Sequence, residues 1–275
     1  VTAGEAIRTA AEQLDAIGGS GRLDAELLMA HALGVSRSEL LLRHMRDCVP
    51  DGFAGLIARR LGHEPVAYIL GEQEFYGLRL QVSPRVLIPR GDSEILVEVA
   101  LAAGAGVQRV LDCGTGSGAL LLAVLAHLPG ARGIGIDRSE EALAVAAGNA
   151  LALGLDARAE FRLADWRHAG WRDGLGRFGL ILANPPYVET GAVLAASVRE
   201  HEPAEALFAG PDGLDDYRAL VPQLPGLLAQ GGMALVEIGA TQAGAVAAIA
   251  ADCGLTARLH RDLGGRSRVL ALVPG

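Results

Sequence analysis

The chain contains no lysine; all 24 of its basic residues are arginine. Against 32 carboxylates they leave a formal net charge of −8. That balance argues against a broad surface for nucleic-acid phosphates, while leaving room for a local arginine patch. Cysteine is scarce: Cys48, Cys113 and Cys253 are isolated and odd in number. They fit neither a disulfide framework nor zinc spacing, so a reducing cytoplasm is the expected setting. The seven histidines are scattered with no pair at helical metal-ligand spacing, and no metal is expected. No run of about 18 uncharged apolar residues occurs, so no transmembrane helix is expected. Val1 to Gln13 carries Glu5, Arg8 and Glu12 without an apolar core and does not read as a signal peptide.

What is present is apolar and glycine-rich. Hydrophobic residues make up 51% of 275, with 37 glycines, enough for a sizeable core. Residues 1–72 read as a module of short helices. Thr2 with Glu5 and Ser36 with Glu39 are candidate capping boxes, and Gly18-Gly19 and Gly34 are natural stops. Leu23, Leu27, Ala30 and Leu33 recur at helical spacing and predict one buried face. The module carries seven arginines against ten carboxylates, so it is no obvious nucleic-acid arm; packing and partner docking are both open to it. Glu74 to Val82 alternates around Gly77 as a hairpin does. Residues 73–90 thus form a β-hairpin linker to a domain over 91–275, whose first helix begins near Glu94 with Asp92 or Ser93 as its cap. Helix and strand then alternate, with strands expected at 109–113, 133–137, 159–164, 179–183, 232–238, 256–262 and 267–273.

Two motifs carry chemistry. Arg109 to Cys113 reads as a buried strand that leads straight into Gly114-Thr115-Gly116-Ser117-Gly118 and then a helical stretch. A strand, glycine turn and helix form the nucleoside-binding corner of a doubly wound sheet, where glycine lets the backbone approach a ligand. The next strand ends in Asp137, placed to accept from two ribose hydroxyls. A nicotinamide site has a similar acid, but its glycine spacing is G-x-G-x-x-G rather than the G-x-G-x-G found here. The second motif, Asn184-Pro185-Pro186-Tyr187, ends the apolar run Leu180 to Ala183. Prolines lack N–H groups, so this turn presents acceptors with few competing donors, beside a carboxamide and a flat ring. It suits a planar amino group. The two motifs together read as a nucleoside-binding methyltransferase with an amine-like target.

In order along the chain, these residues resemble the HemK (PrmC) type of glutamine N5-methyltransferase that modifies peptide-chain release factors. The resemblance runs through Asp24 to Leu28, Pro65 to Gly71, Leu87 to Arg90 with Asp92 to Glu94, the glycine corner and Asp137. It continues through Asp165-Trp166, Asn184 to Tyr187, Glu202-Pro203 and Asp212 to Asp215. It implies a seven-stranded, Rossmann-like class I methyltransferase domain behind a small helical substrate-docking domain, acting in the cytoplasm. S-adenosyl-L-methionine is the implied cofactor, held by Gly114 to Gly118 and Asp137, with Asp165 and Trp166 near the adenine. Asn184 and Pro185 would accept the two hydrogens of a substrate glutamine amide, with Pro186 and Tyr187 completing its pocket. Class I release factors are the implied partners, with neither nucleic acid nor membrane. Two departures stand out: Gly91 replaces a usual proline, and Gly179 a usual aspartate. Methylation of a ribosomal-protein glutamine, or of adenine N6 in nucleic acid, are the alternative activities for an Asn-Pro-Pro-Tyr turn.

Overall fold

The computed structural model describes residues 1–18 and 20–275. The chain divides into two compact units, Val1–Glu72 with Leu194–Glu202, and Gln73–Val193 with Pro203–Gly275. In the first unit, helices α1 (Ala3–Asp15), α2 (Gly21–Leu33), α3 (Arg37–Glu39), α4 (Phe53–Leu61) and α5 (Val66–Leu70) enclose a core around Ile7, Leu14, Leu28 and Met29. Both capping boxes form: Thr2 Oγ1 accepts from the Glu5 N–H at 3.3 Å and Ser36 Oγ from the Glu39 N–H at 3.2 Å. Gly34 closes α2 at φ 68° and Gly18 follows α1 at φ 82°; Gly19 lies outside the described residues.

The buried face of α2 is rotated from the one its leucine spacing suggests. Leu23 is 41% exposed, whereas Ala25, Leu28 and Met29 are buried beside Ala30. Close approach to α1 is the reason. A Cβ on Gly21 would lie 2.5 Å from the Ala11 carbonyl oxygen, so the small Gly21–Ala25 ridge must face α1 and Leu23 turns outward.

The second unit opens with a hairpin, β1 (Glu72–Phe75) and β2 (Leu78–Gln81), turned by Tyr76 and Gly77 at φ 50° and 73°. Its Phe75 and Leu80 are fully buried in one apolar cluster with α6 (Glu94–Ala103) and α7 (Ala119–His127). Neither Asp92 nor Ser93 caps α6 by its side chain. Asp92 Oδ2 instead accepts from Arg268 at 2.8 Å, an ion pair outcompeting a local turn.

Seven strands form the main sheet: β3 (Arg109–Cys113), β4 (Arg132–Asp137), β5 (Ala159–Leu163), β6 (Phe178–Ala183), β7 (Leu228–Glu237), β8 (Leu255–Arg261) and β9 (Ser267–Pro274). Their order is β5-β4-β3-β6-β7-β9-β8, parallel as far as β7, with β9 antiparallel to both β7 and β8. Successive residues of β6 feed opposite cores: Ile181 and Ala183 join one apolar cluster, Leu180 and Leu182 the other. Burial on both faces explains why β6 carries no charged residue. Gly179 sits at a register shift between Phe178 and Leu180. The remaining helices are α8 (Glu140–Ala152), α9 (Ala196–His201), α10 (Asp215–Leu220), α11 (Leu224–Leu227) and α12 (Ala243–Asp252). Of these α9 clusters with the helical unit, where His201 Nε2 lies 3.1 Å from the Gly62 carbonyl oxygen. No described helix is long and apolar enough to cross a membrane.

Candidate active site

The sheet reverses its winding direction between β3 and β6, and the crevice outside their carboxyl ends is where such folds bind ligands. Parallel pairing of Cys113 with Ala183 brings Gly114 and Asn184 level at that edge. The two motifs are 70 residues apart in sequence and adjacent in space. A cleft lined by residues of both motifs opens there.

Each wall has a local cause. Gly114, Gly116 and Gly118 have φ of 75°, 54° and 83°, so all three need glycine. Gly114 and Thr115 donate their N–H groups to the Ile136 carbonyl, tying the corner to β4. Asp137 fixes the corner a second time: Oδ2 accepts from the Gly116 N–H at 2.9 Å and Oδ1 from the Ser139 N–H at 3.0 Å. Burial pushes its carboxyl up, against these two bonds. Each oxygen keeps a lone pair for a further donor. Asn149 on α8 donates to the Ser117 and Gln81 carbonyls, joining corner and hairpin.

Trp166 packs its ring across the corner, since a Cβ on Gly114 would lie 3.2 Å from it. Its indole N–H donates to Asp216 Oδ1 at 3.1 Å, and Arg167 pairs with the same buried carboxylate. Asp112, fully buried below the corner, accepts from Thr115 Oγ1 at 2.7 Å, and burial pushes its carboxyl up to about 7.

Of the residues singled out in the sequence, Gly114, Thr115, Gly116, Ser117, Asp137, Asp165, Trp166, Asn184 and Pro186 all line the cleft. Gly118 does not; it caps α7 beneath the corner. Pro185 is buried, and Tyr187 packs against the core on the far side of the turn. The Asn184 carboxamide makes no hydrogen bond among the described residues, which leaves its acceptor and donors available at the rim. Leu87, Pro89 and Asp216 also line the cleft and were not marked as site residues by sequence reading. For Leu87 and Pro89 the junction motif was visible but its place in the fold was not; Asp216, beside Asp215, carries no local signal.

The turn is held from behind. Gln242 Nε2 donates to the Tyr187 carbonyl at 3.0 Å and to that of Gly213 at 3.2 Å. Gly213, at φ 68°, leaves no room for a side chain: a Cβ there would lie 2.3 Å from the Tyr187 oxygen. Gly213→Ala should therefore destabilise the protein by roughly 1–3 kcal/mol through backbone strain and displace the turn. A denaturant midpoint equal to wild type would show that the turn tolerates the side chain.

The donor set fits a nucleoside carrying a charged amino-acid tail. Asp137 offers acceptors for vicinal hydroxyls, Trp166 an aromatic face, and the glycines a close backbone approach. Sheet order and cleft together define a Rossmann-like, S-adenosylmethionine-dependent methyltransferase. Family descriptions agree: the PrmC N-terminal domain matches residues 5–71, and a methyltransferase domain matches residues 107–242. The release factor glutamine methyltransferase of Rhodospirillum rubrum is 44% identical over 90% of this chain and 78% of its own length. That of Cereibacter sphaeroides is 42% identical over 98% of this chain and 97% of its own. The chain belongs to the release factor glutamine methyltransferase family. Solved structures share the fold alone. The ribosomal protein L11 methylase of Lactobacillus delbrueckii is 22% identical with TM-score 0.50, covering 71% of this chain and 84% of that one. The hMettl16 catalytic domain, solved with an RNA hairpin, is 15% identical with TM-score 0.57 and 81% coverage of both chains.

Proposed function

We propose that this enzyme methylates N5 of the glutamine in the Gly-Gly-Gln motif of class I release factors. The carrying observation is the Asn184 carboxamide, unengaged and level with Gly114 across the switch point. S-adenosylmethionine supplies an electrophilic methyl group when bound. The chain's own residues must hold a poor nucleophile in line with it, because an amide nitrogen shares its lone pair with the carbonyl. The Asn184 side-chain oxygen and the Pro185 carbonyl accept the two amide hydrogens, which fixes the direction of the nitrogen and favours positive charge on it. Pro186 forms the rim, and Tyr187, packed against the core, supports the turn from behind. Asp137 holds the ribose hydroxyls, Gly114 to Ser117 pass the methionine portion, and Asp165 and Trp166 hold the adenine. The net charge of −8 supports a protein substrate over nucleic acid. A translation-factor substrate supports a cytoplasmic setting for the reaction.

The test is transfer of labelled methyl to purified class I release factors, with the Gly-Gly-Gln glutamine replaced in a control and duplex DNA as a competing substrate. Label on the intact factor alone supports the reading; label on DNA, or on the replaced factor, refutes it. We assign substrate docking to residues 1–72. Their deletion should leave cofactor affinity within about twofold while impairing methylation of a whole release factor. Folded, truncated enzyme with full turnover would remove that role.

A further inference from the structure

Behind the Asn184 turn lies a polar cluster that the proposed chemistry leaves unused. Glu237 ends β7, one residue beyond the Val236–Ala183 pair, so the register sets it level with Asn184. It is 1% exposed, and Ser93 and Arg268 beside it are buried as well. The Ser93 hydroxyl and the Tyr187 phenol both approach its carboxylate, and the charges of Arg268 and Asp92 act on it. The approach is incomplete. Ser93 Oγ, Glu237 Oε2 and Arg268 Nε each close no hydrogen bond of standard geometry.

Three buried, unsatisfied polar atoms in one place are uncommon in a folded protein and call for a reason. Stability does not provide one, because an apolar side chain at 237 would continue the β7 run Met233 to Val236 without the desolvation of a charge. Such local violations of packing rules concentrate at functional sites. The backbone around Glu237 is also pinned: its carbonyl accepts from the Tyr217 hydroxyl at 2.9 Å. Gln242 holds Tyr187 by its backbone carbonyl, and the Glu237 carboxylate lies within reach of its phenol.

We propose that Glu237 is a positioning residue for methyl transfer, its carboxylate receiving the Tyr187 phenol and thereby fixing the acceptor turn that begins at Asn184. The inference rests on the proposed role of that turn. Burial raises the carboxyl of Glu237 to about 7, so its charge changes within the working range. The groups facing it are Asp92 and Ser93 from the start of the α6 segment, Arg268 from β9, Tyr187 from the turn and Tyr217 from α10. Arg90 adds a positive charge near Tyr187. A charged carboxylate is the stronger acceptor for the phenol, so lowering the pH through about 7 weakens the anchor.

The experiment is single-turnover methyl transfer at saturating cofactor, as a function of pH, for wild type, Glu237→Gln, Tyr187→Phe and the double variant. Wild type should slow as pH falls through about 7. Glu237→Gln keeps the shape, and should transfer about tenfold more slowly at pH 8, lose that acidic limb and bind cofactor within twofold of wild type. Tyr187→Phe should lose the same limb, and the double variant should be no slower than the slower single one, because both remove one link. A Glu237→Gln enzyme with wild-type rate and pH profile overturns the inference, as do additive losses in the double variant. If Glu237→Gln does not fold, Tyr187→Phe decides: retention of the acidic limb overturns the proposal. An Asn184→Ala enzyme at wild-type rate would fail the acceptor turn itself; a silent Glu237→Gln beside an impaired Asn184→Ala fails only the present inference.

Discussion

Asn184→Ala should slow methyl transfer about 10²–10³-fold, the usual loss when one preorganised polar partner of a developing charge is removed. The side chain leaves no other described residue without a partner, because its carboxamide is bonded to none of them. Folding stability should therefore change little. Cofactor affinity should fall far less than the rate, since Asn184 is only one of many residues on the cleft wall. Asn184→Asp separates shape from charge: it keeps an acceptor of similar size and adds a negative charge that favours positive charge on the nitrogen. It should retain more activity than alanine. Single-turnover transfer at saturating cofactor measures both, and a wild-type rate for Asn184→Ala would disprove the amide-holder mechanism.

The second large effect is on the cofactor. Asp137→Ala should weaken S-adenosylmethionine binding by at least tenfold. A hydrogen bond to a charged group contributes roughly 1.5–3 kcal/mol, and two ribose hydroxyls would meet this carboxylate. The structure adds a further cause. Asp137 also accepts from the Gly116 and Ser139 N–H groups, so its loss frees the glycine corner as well as removing the acceptor. Asp137→Asn isolates the charge, because its one remaining side-chain oxygen can still hold one of the two donors. Its affinity should fall between those of wild type and alanine. Calorimetry giving an unchanged affinity for Asp137→Ala would remove this residue from the site.

Both effects concern residues visible in the sequence, and that visibility has a physical basis. A glycine needed at positive φ has no substitute, and a Pro-Pro stop at a strand end cannot continue a ladder, so the corner and the turn are written in residue type. Strand positions were legible for a similar reason. A parallel sheet buried on both faces favours apolar residues at successive positions, and β6 is such a run. The capping boxes of α1 and α3 are local contacts three residues apart and need no tertiary partner.

Where a choice depended on a distant neighbour, the sequence was silent or misleading. The face of α2 was set by the approach of α1 at Gly21, which turned Leu23 outward despite its helical spacing. Asp92 left its capping role for Arg268, 176 residues away. Asp216 holds the indole of Trp166 from a helix 50 residues on, and no local pattern marks it. The pairing of Glu237 with the acceptor turn exists only through the register of β7 on β6. The sequence by itself thus determined the elements and the residues whose backbone chemistry is irreplaceable. The tertiary structure decided which side chains face one another, because burial, close approach and ion pairing are properties of neighbours that chain order does not contain.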